Sequence, residues 1–393
     1  MSKLMQTDVI IIGAGISAKL TALYLSIHRF KVIVFPNQVI KDDTSNLVTF
    51  FSSGSIKFLS NILNDDKSIR CYEDIKQLCC SQYDQLNKKN FKVNFDNNKE
   101  EFLGKIIPNK KINELLDGHL LSNTNINILN DEFIDDIRYK DTQIEVATKK
   151  SASISAKLVI VADGKNSIIK RYSDFQFITH DFEQTALSIA ANIERKNQNT
   201  AYQYFTPDGP LALLPYSSTH SSIVWSLKKS SNMLRLDQNE LQQEITDIFR
   251  PIINSFKIID IQKFNLSFSF AKKLFSKRLT IVGDTAHSMH PIAGQGLNLI
   301  IKDIVCLTKQ LVKYKSLGYD LGETAVLNEY DDLRRSDNIA YSFGTLILDE
   351  VFSIENIHIR KLTNSLFKTF NQSETLKKYF VNSATGYNYF NNL

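Results

Sequence analysis

The chain has 393 residues, 43% hydrophobic and 23% charged, enough to bury a large core or two domains. Its 47 basic and 42 acidic residues leave a net charge of +5, without a massed basic block or an aromatic-basic repeat, which excludes a nucleic-acid binder. Cys71, Cys79, Cys80 and Cys306 show no C-x-x-C spacing, which argues against a disulfide framework or metal cluster and for a reducing compartment.

In chain order, Asp8 to Ile12 is β-branched without alternation and reads as a buried parallel strand. Ser17 to Arg29 reads as a helix and Lys31 to Phe35 as a second strand, completing a βαβ unit. The short apolar run Val9 to Ile12, broken by Gly13, does not read as a signal-peptide core. No stretch reaches the ~18 apolar residues of a spanning helix. Residues 36–100 read as a polar insert with short helices, Cys71 to Lys89 among them. Phe102 to Ile107 reads as extended and Lys111 to Leu121 as a helix. Ile126 to Leu129, Ile144 to Ala147 and Leu158 to Ala162 read as strands, the last ending in Asp163-Gly164. From about 175, Ala186 to Ile193, Ala201 to Phe205, Leu211 to Leu214 and Ile223 to Leu227 read as alternating strands separated by proline- and glycine-rich turns. Leu279 to Val282 is again strand-like. After residue 298 the pattern is helical.

The chain is therefore expected to be α/β. Residues 1–174 would form a Rossmann-like dinucleotide domain and 175–272 an inserted β-rich substrate domain. Residues 273–345 would return to the first domain, and 346–393 would be a helical C-terminal tail.

Two strand-to-helix turns carry the candidate chemistry. Gly13-x-Gly15-x-x-Ala18 follows a strand and opens a helix, as a dinucleotide fingerprint requires. Gly13 permits the tight turn, Gly15 lets backbone N–H groups approach a pyrophosphate, and Ala18 keeps the helix close to the strand. The acid that such a unit presents to ribose is missing: the second strand ends in Phe35-Pro36-Asn37, and Asp42 to Phe51 contains no arginine. An aromatic at Phe35 cannot accept hydroxyl hydrogen bonds. The second turn runs from Gly283 to Asn298 and combines three glycines with Pro291 and polar side chains. Two such turns, roughly 270 residues apart, suggest one large oxygen-rich ligand held at both ends.

The second turn resembles the G-D-A-A-H-x-x-H-P-x-A-G-Q-G-x-N-L pattern of the flavin-dependent aromatic hydroxylases of ubiquinone biosynthesis, relatives of p-hydroxybenzoate hydroxylase. Only Thr285 departs from it. Ala162-Asp163-Gly164 with Ser167 and Arg171, Pro207 to Pro215, Tyr330 to Asn338 and Leu348 to Ser353 are similar to further elements of that family, in the same order.

The resemblance implies a p-hydroxybenzoate hydroxylase-like fold, non-covalent FAD and NAD(P)H as transient co-substrate. Asp284 would bind the ribityl chain, and Asp163 and Gly164 would support the pyrophosphate. Gly283 lies in the same turn. Gly294, Gln295, Gly296, Leu297 and Asn298 would set N–H groups against the flavin's N–C=O edge. Pro291 would lie along the isoalloxazine ring. For His287 and His290 a structural role in the loop is the leading reading, a reach of His290 to substrate is a second, and a metal site lacks further ligands.

The implied reaction is hydroxylation of a polyprenylated phenol with oxygen, through a flavin C(4a)-hydroperoxide. The rivals are a flavin hydroxylase of a soluble aromatic and a non-catalytic scaffold with weakened FAD binding. A lipid-tailed substrate implies a cytoplasmic protein peripheral to the inner membrane, with other ubiquinone-biosynthesis proteins as partners. The tail alternates Phe352, Ile359, Leu362, Leu366, Phe367 and Phe370 with Arg360, Lys361, Lys368, Lys377 and Lys378. Core packing and a basic amphipathic lipid- or partner-facing surface are both open for it.

Overall fold

The computed structural model describes residues 5–36, 46–64, 67–82, 91–96, 102–130, 132–150, 153–353, 365, 369, 372–386 and 389. The apolar run at the start forms strand Met5–Ile12, whose Val9 to Ile12 are fully buried. Helix Ile16–Ile27 carries the chain back to strand Val32–Phe35, which pairs parallel with the first and sets Ile12 beside Phe35. Along the sheet follow, in order, Leu279–Ile281, Ser153–Val161, Met5–Ile12, Val32–Phe35 and Ile126–Ile128, each neighbouring pair parallel. Helices cover such a sheet, so its strands read as unbroken apolar runs. Helices Asn109–Leu121 and Gly296–Ser316 both pack on Ile16–Ile27. An antiparallel pair, Ile134–Tyr139 and Ile144–Thr148, attaches to the first half of Ser153–Val161.

The second sheet centres on two long antiparallel strands, Phe177–Arg195 and Ile253–Ala271. From Phe177–Arg195 it continues through His220–Lys228, Gly209–Pro215 and Thr200–Thr206. Helix Gln238–Phe249 buries Leu241, Ile245 and Phe249 against a core containing Ile189, Leu213 and Trp225. Its start is fixed by Asp237, whose side chain accepts from the Asn239 and Glu240 N–H groups, while the Glu240 side chain accepts from the Asp237 N–H.

The polar insert departs from expectation. It contains helix Ser53–Leu63 but also strands Val48–Ser52, Gln77–Gln82 and Phe91–Asp96. Gln77–Gln82 lies inside the segment expected to be helical, Cys71 to Lys89. It pairs parallel with Thr200–Thr206, and Phe91–Asp96 completes that edge. The local sequence, Gln77-Leu78-Cys79-Cys80-Ser81-Gln82, has no apolar alternation to announce a strand. Its conformation comes from a partner more than a hundred residues away, a tertiary override of weak local preference.

After residue 298 the helical reading matches helices Gly296–Ser316, Thr324–Ser353 and Glu374–Thr385. Of the tail residues, Lys377 and Lys378 lie on the last of these. Ile359, Arg360, Lys361, Leu362, Leu366, Phe367, Lys368 and Phe370 lie outside the described residues, as do Asn37 and the side chain of Phe352. Among the described residues no helix is long and apolar enough to cross a membrane.

Candidate active site

Three adjacent parallel strands end side by side: Met5–Ile12 in Gly13, Ser153–Val161 in Ala162-Asp163-Gly164, and Leu279–Ile281 in Val282-Gly283. The carboxyl edge of an open parallel sheet is where such folds bind ligands. Gly13 is forced by its neighbours. Its φ is +142°, and a Cβ there would stand 2.2 Å from the Ala162 carbonyl oxygen. Gly283 brings the second turn against the first, since a Cβ on it would lie 2.9 Å from Ser17 Oγ. Residues roughly 270 positions apart thus share one edge, as the two-ended ligand reading requires.

The donors at this edge are bare backbone. Gly15 precedes helix Ile16–Ile27 without a side-chain cap, is exposed, and would place a Cβ in open space. Gln295 precedes helix Gly296–Ser316, again without a side-chain cap. The leading N–H groups of a helix have no intrahelical acceptor and carry the positive end of its dipole. Both helices therefore present uncapped donors, which suit a pyrophosphate at the first and an electron-rich carbonyl edge at the second. Ala18 is fully buried beneath the first turn.

The carboxylates behave differently. Asp163 Oδ2 accepts from the Ile168 N–H at 2.9 Å, and Thr285 Oγ1 accepts from the Gly164 N–H at 3.0 Å, lacing the two strand ends together. Burial raises the Asp163 carboxyl above the usual carboxylate range, with the Ser167 hydroxyl and the Ile168 N–H pulling the other way. Asp284 stands in the short turn Gly283–Thr285 and is reached by solvent from its open side. Protein crowds it on the other sides. That crowding raises its carboxyl, against the pull of His287 and Lys165. No hydrogen bond to its side chain is present among the described residues, so its oxygens are available to a ligand's hydroxyls.

The histidines separate. His287 Nε2 lies 2.5 Å from Asp303 Oδ2, both fully buried, and Arg334 Nε donates to Asp303 Oδ1 at 2.7 Å. Burial alone would raise the Asp303 carboxyl; His287 and Arg334 outweigh it and hold it low. Arg334 also reaches Asp337 and Asn338 on its own helix, so its bond to Asp303 ties helix Thr324–Ser353 to helix Gly296–Ser316. His290 is 1% exposed, with Nε2 at 2.8 Å from Gln184 Oε1 and Nδ1 accepting from the Ile292 N–H. The second reading of His290, direct reach to substrate, is corrected by this geometry: both nitrogens are engaged inside the protein. Desolvation pushes its imidazole down to about 4.

Pro291, in contrast, is exposed, and Gly294 beside it adopts φ +58°. Leu297 is partly exposed next to the Gly296 and Gln295 backbone. The Asn298 side chain is spent internally: Oδ1 accepts from the Ser52 N–H at 2.9 Å and Nδ2 donates to the Phe50 carbonyl at 3.1 Å. Only its backbone N–H remains for a ligand. Phe35 is 0% exposed and packs in the main core, so its side chain offers nothing to a ligand. Gln184 and Asp349, which position His290, carry no motif of their own. Only the family-like tail element containing Asp349 singled one of them out.

The donor set thus fits the pyrophosphate, ribityl and carbonyl parts of FAD, and among the described residues no acid follows the strand Val32–Phe35 to meet its ribose. A family model for the FAD binding domain matches residues 131–336. The chain is 31% identical over 243 residues to the ubiquinone hydroxylase UbiL of Rhodospirillum rubrum, covering 60% of this chain and 55% of that protein. It is 26% identical over 392 residues to the 3-demethoxyubiquinol 3-hydroxylase of Escherichia coli, covering 97% and 98%. Among solved structures, the p-nitrophenol 4-monooxygenase of Pseudomonas putida superposes with a TM-score of 0.80 at 15% identity, covering 97% and 99%. A probable FAD-dependent monooxygenase of Pseudomonas aeruginosa gives 0.76 at 16%, covering 94% and 100%. These two show the fold. By sequence, fold and donor set, the chain belongs to the FAD-binding domain family and takes FAD as its cofactor.

Proposed function

We propose that this protein is an FAD-dependent monooxygenase that hydroxylates a polyprenylated phenol in ubiquinone biosynthesis, using NAD(P)H and oxygen. One observation carries the reading: Gly283, at the sheet edge, packs against the N-terminal ends of two uncapped helices at Ser17 and Ile300, in a chain that parallels a 3-demethoxyubiquinol 3-hydroxylase over 97% of its length.

When bound, FAD supplies the redox chemistry, taking electrons from NAD(P)H and passing them to oxygen. The rest is the work of this chain. Gly13 and Gly15 admit the pyrophosphate to backbone N–H groups, and Ala18 keeps the helix near. Asp284 accepts from ligand hydroxyls. The N–H groups at Gly296, Leu297 and Asn298 stabilise negative charge at the cofactor's carbonyl edge without reorganising. Pro291, which has no N–H, gives a rigid apolar wall. Asp163, Gly164 and Thr285 hold the two strand ends in register.

A prenyl tail keeps its phenol in a lipid phase, so the enzyme would work at a membrane surface, alone or with other ubiquinone-biosynthesis proteins. Helix Glu374–Thr385 supports this, exposing Leu376, Tyr379 and Phe380 beside Lys377 and Lys378. The buried Phe35 favours a second reading, a scaffold with weakened FAD binding, whereas the intact donor set at 283–298 opposes it.

The absorbance spectrum of the purified protein, with and without added FAD, tests the proposal. A bound flavin spectrum and a raised melting temperature are expected. Protein that stays colourless and unshifted in excess FAD removes it.

A further inference from the structure

We propose that Gln184 is a positioning residue that sets the Pro291 turn through His290, with Asp349 holding the Gln184 amide in the orientation this requires. The inference rests on reading that turn as the cofactor-facing edge of the site.

Strand Phe177–Arg195 breaks register with Ile253–Ala271 between Asp181 and Gln184, leaving Phe182 and Glu183 without cross-strand partners. Glu183 adopts φ +53°, a region that residues with a Cβ rarely enter. The break is fastened from outside. Asp181 Oδ1 accepts from the Glu183 N–H at 2.9 Å, and the Glu183 carbonyl accepts from the Lys229 N–H at 2.9 Å. Bulges next to sites serve to re-aim side chains. Here two side chains converge on one imidazole: the Phe182 ring meets His290 edge to face at 4.9 Å, and Gln184 Oε1 lies 2.8 Å from His290 Nε2.

The hydrogen bonds have a single consistent polarity. The Ile292 N–H can only donate, so His290 Nδ1 accepts and the ring proton sits on Nε2. That proton needs an acceptor, which is the Gln184 carbonyl oxygen. The Gln184 NH2 group then donates to Asp349, 3.0 Å from each carboxylate oxygen. A flipped amide would set donor against donor at His290 and acceptor against acceptor at Asp349. The carboxylate on helix Thr324–Ser353, whose Oδ1 also lies 3.5 Å from His290 Nε2, therefore fixes the amide, and the amide and the Ile292 N–H together select the Nε2–H tautomer that lets Nδ1 cap the turn Pro291–Ala293. Gln184, His290 and Asp349 are all buried, so solvent does not compete.

Three variants test this in holoenzyme reconstituted with FAD: Gln184→Leu, Gln184→Glu, and Gln184→Glu combined with Asp349→Asn. The side-chain ¹⁵N shifts of His290 report its tautomer. FAD affinity and melting temperature report integrity. Product formed per NAD(P)H consumed, with a farnesylated phenol as probe, reports geometry. Gln184→Leu removes the 2.8 Å acceptor at Nε2, so it should shift the His290 Nε2 signal and drop coupling about tenfold or more, the scale expected of a misplaced wall, while retaining FAD. Gln184→Glu should fail through two facing carboxylates. The double variant should recover both readouts, because the introduced carboxylate can accept from His290 and the introduced amide can donate to that carboxylate.

An unchanged His290 signature in Gln184→Leu, or a double variant no better than Gln184→Glu, overturns the proposal. Should Gln184→Leu not fold, the comparison of Gln184→Glu with the double variant decides alone. A wild type that makes no product from the farnesylated phenol defeats the substrate reading, whereas the ¹⁵N comparison still decides the relay.

Discussion

The two glycine-rich turns share one sheet edge and are built on opposite plans. The opening turn is bare: Gly13, Gly15 and an uncapped helix start, shaped by the strand neighbours on either side. The turn at 283–298 is anchored from behind at four points, by Thr285 to Gly164, His287 to Asp303 and Arg334, His290 to Gln184, and Asn298 to the 48–52 strand. The first achieves its geometry through backbone alone, by close packing and by bonds such as the Gly13 N–H to the Phe35 carbonyl at 2.8 Å. The second pairs only His287–Ser288 with strand Ile253–Ala271, and distant side chains fasten the rest of it.

Substitutions should separate the two plans. Behind the opening turn, Phe35→Glu would bury an unpaired carboxylate in the core, and a loss of about 4–5 kcal/mol in urea unfolding is expected rather than tighter FAD. Behind the second turn, Arg334→Leu removes the guanidinium from buried Asp303, leaving it His287 and the Asn338 amide, and should cost about 3 kcal/mol by the same measurement.

The His290 anchor adds a pH dependence. An unfolded histidine titrates near ~6.5, while folded His290 is pushed down to about 4. Between these values the unfolded chain binds a proton that the folded chain does not. This contribution is therefore complete above ~6.5 and fades as pH falls toward the lower value, by up to about 3 kcal/mol. His290→Gln should flatten that part of the urea-midpoint profile relative to wild type.

Within the opening turn the two glycines should differ. Gly13→Ala meets the Ala162 carbonyl and is expected to cost about 3 kcal/mol in thermal unfolding of the apoprotein. Gly15→Ala should leave the apoprotein unchanged and weaken only FAD, seen by flavin titration. Asp284→Ala should likewise spare apoprotein stability and lower FAD affinity about ten- to a hundredfold, the loss of one ~1.5–3 kcal/mol charge-assisted hydrogen bond. Equal losses of stability at Gly13 and Gly15 would erase the contrast.

The parallel sheet and both turns were legible because their signals are local: apolar runs, glycines at fixed offsets, a strand before and a helix after. The strand Gln77–Gln82 was not, since Leu78-Cys79-Cys80-Ser81 acquires its conformation from Thr200–Thr206. The anchors were half legible. Histidines at 287 and 290 stand out in the motif, but nothing in the spacing of Gln184, His290 and Asp349 says that they meet. The reading of Phe35 as a missing acid rested on its place at the end of the second strand, and only burial reveals that its side chain belongs to the core.

The parallel pairing of Gln77–Gln82 with Thr200–Thr206 bears on how this chain can be cut and how it folds. A fragment spanning 175–272 would leave Thr200–Thr206 as an unprotected edge, the kind that recruits other chains and aggregates. The inserted sheet is thus not a portable module, because its outer strands are synthesised before the rest of it. During translation Gln77–Gln82 must wait for its partner to emerge, so the second sheet closes late and through long-range pairing, the slow class of folding step.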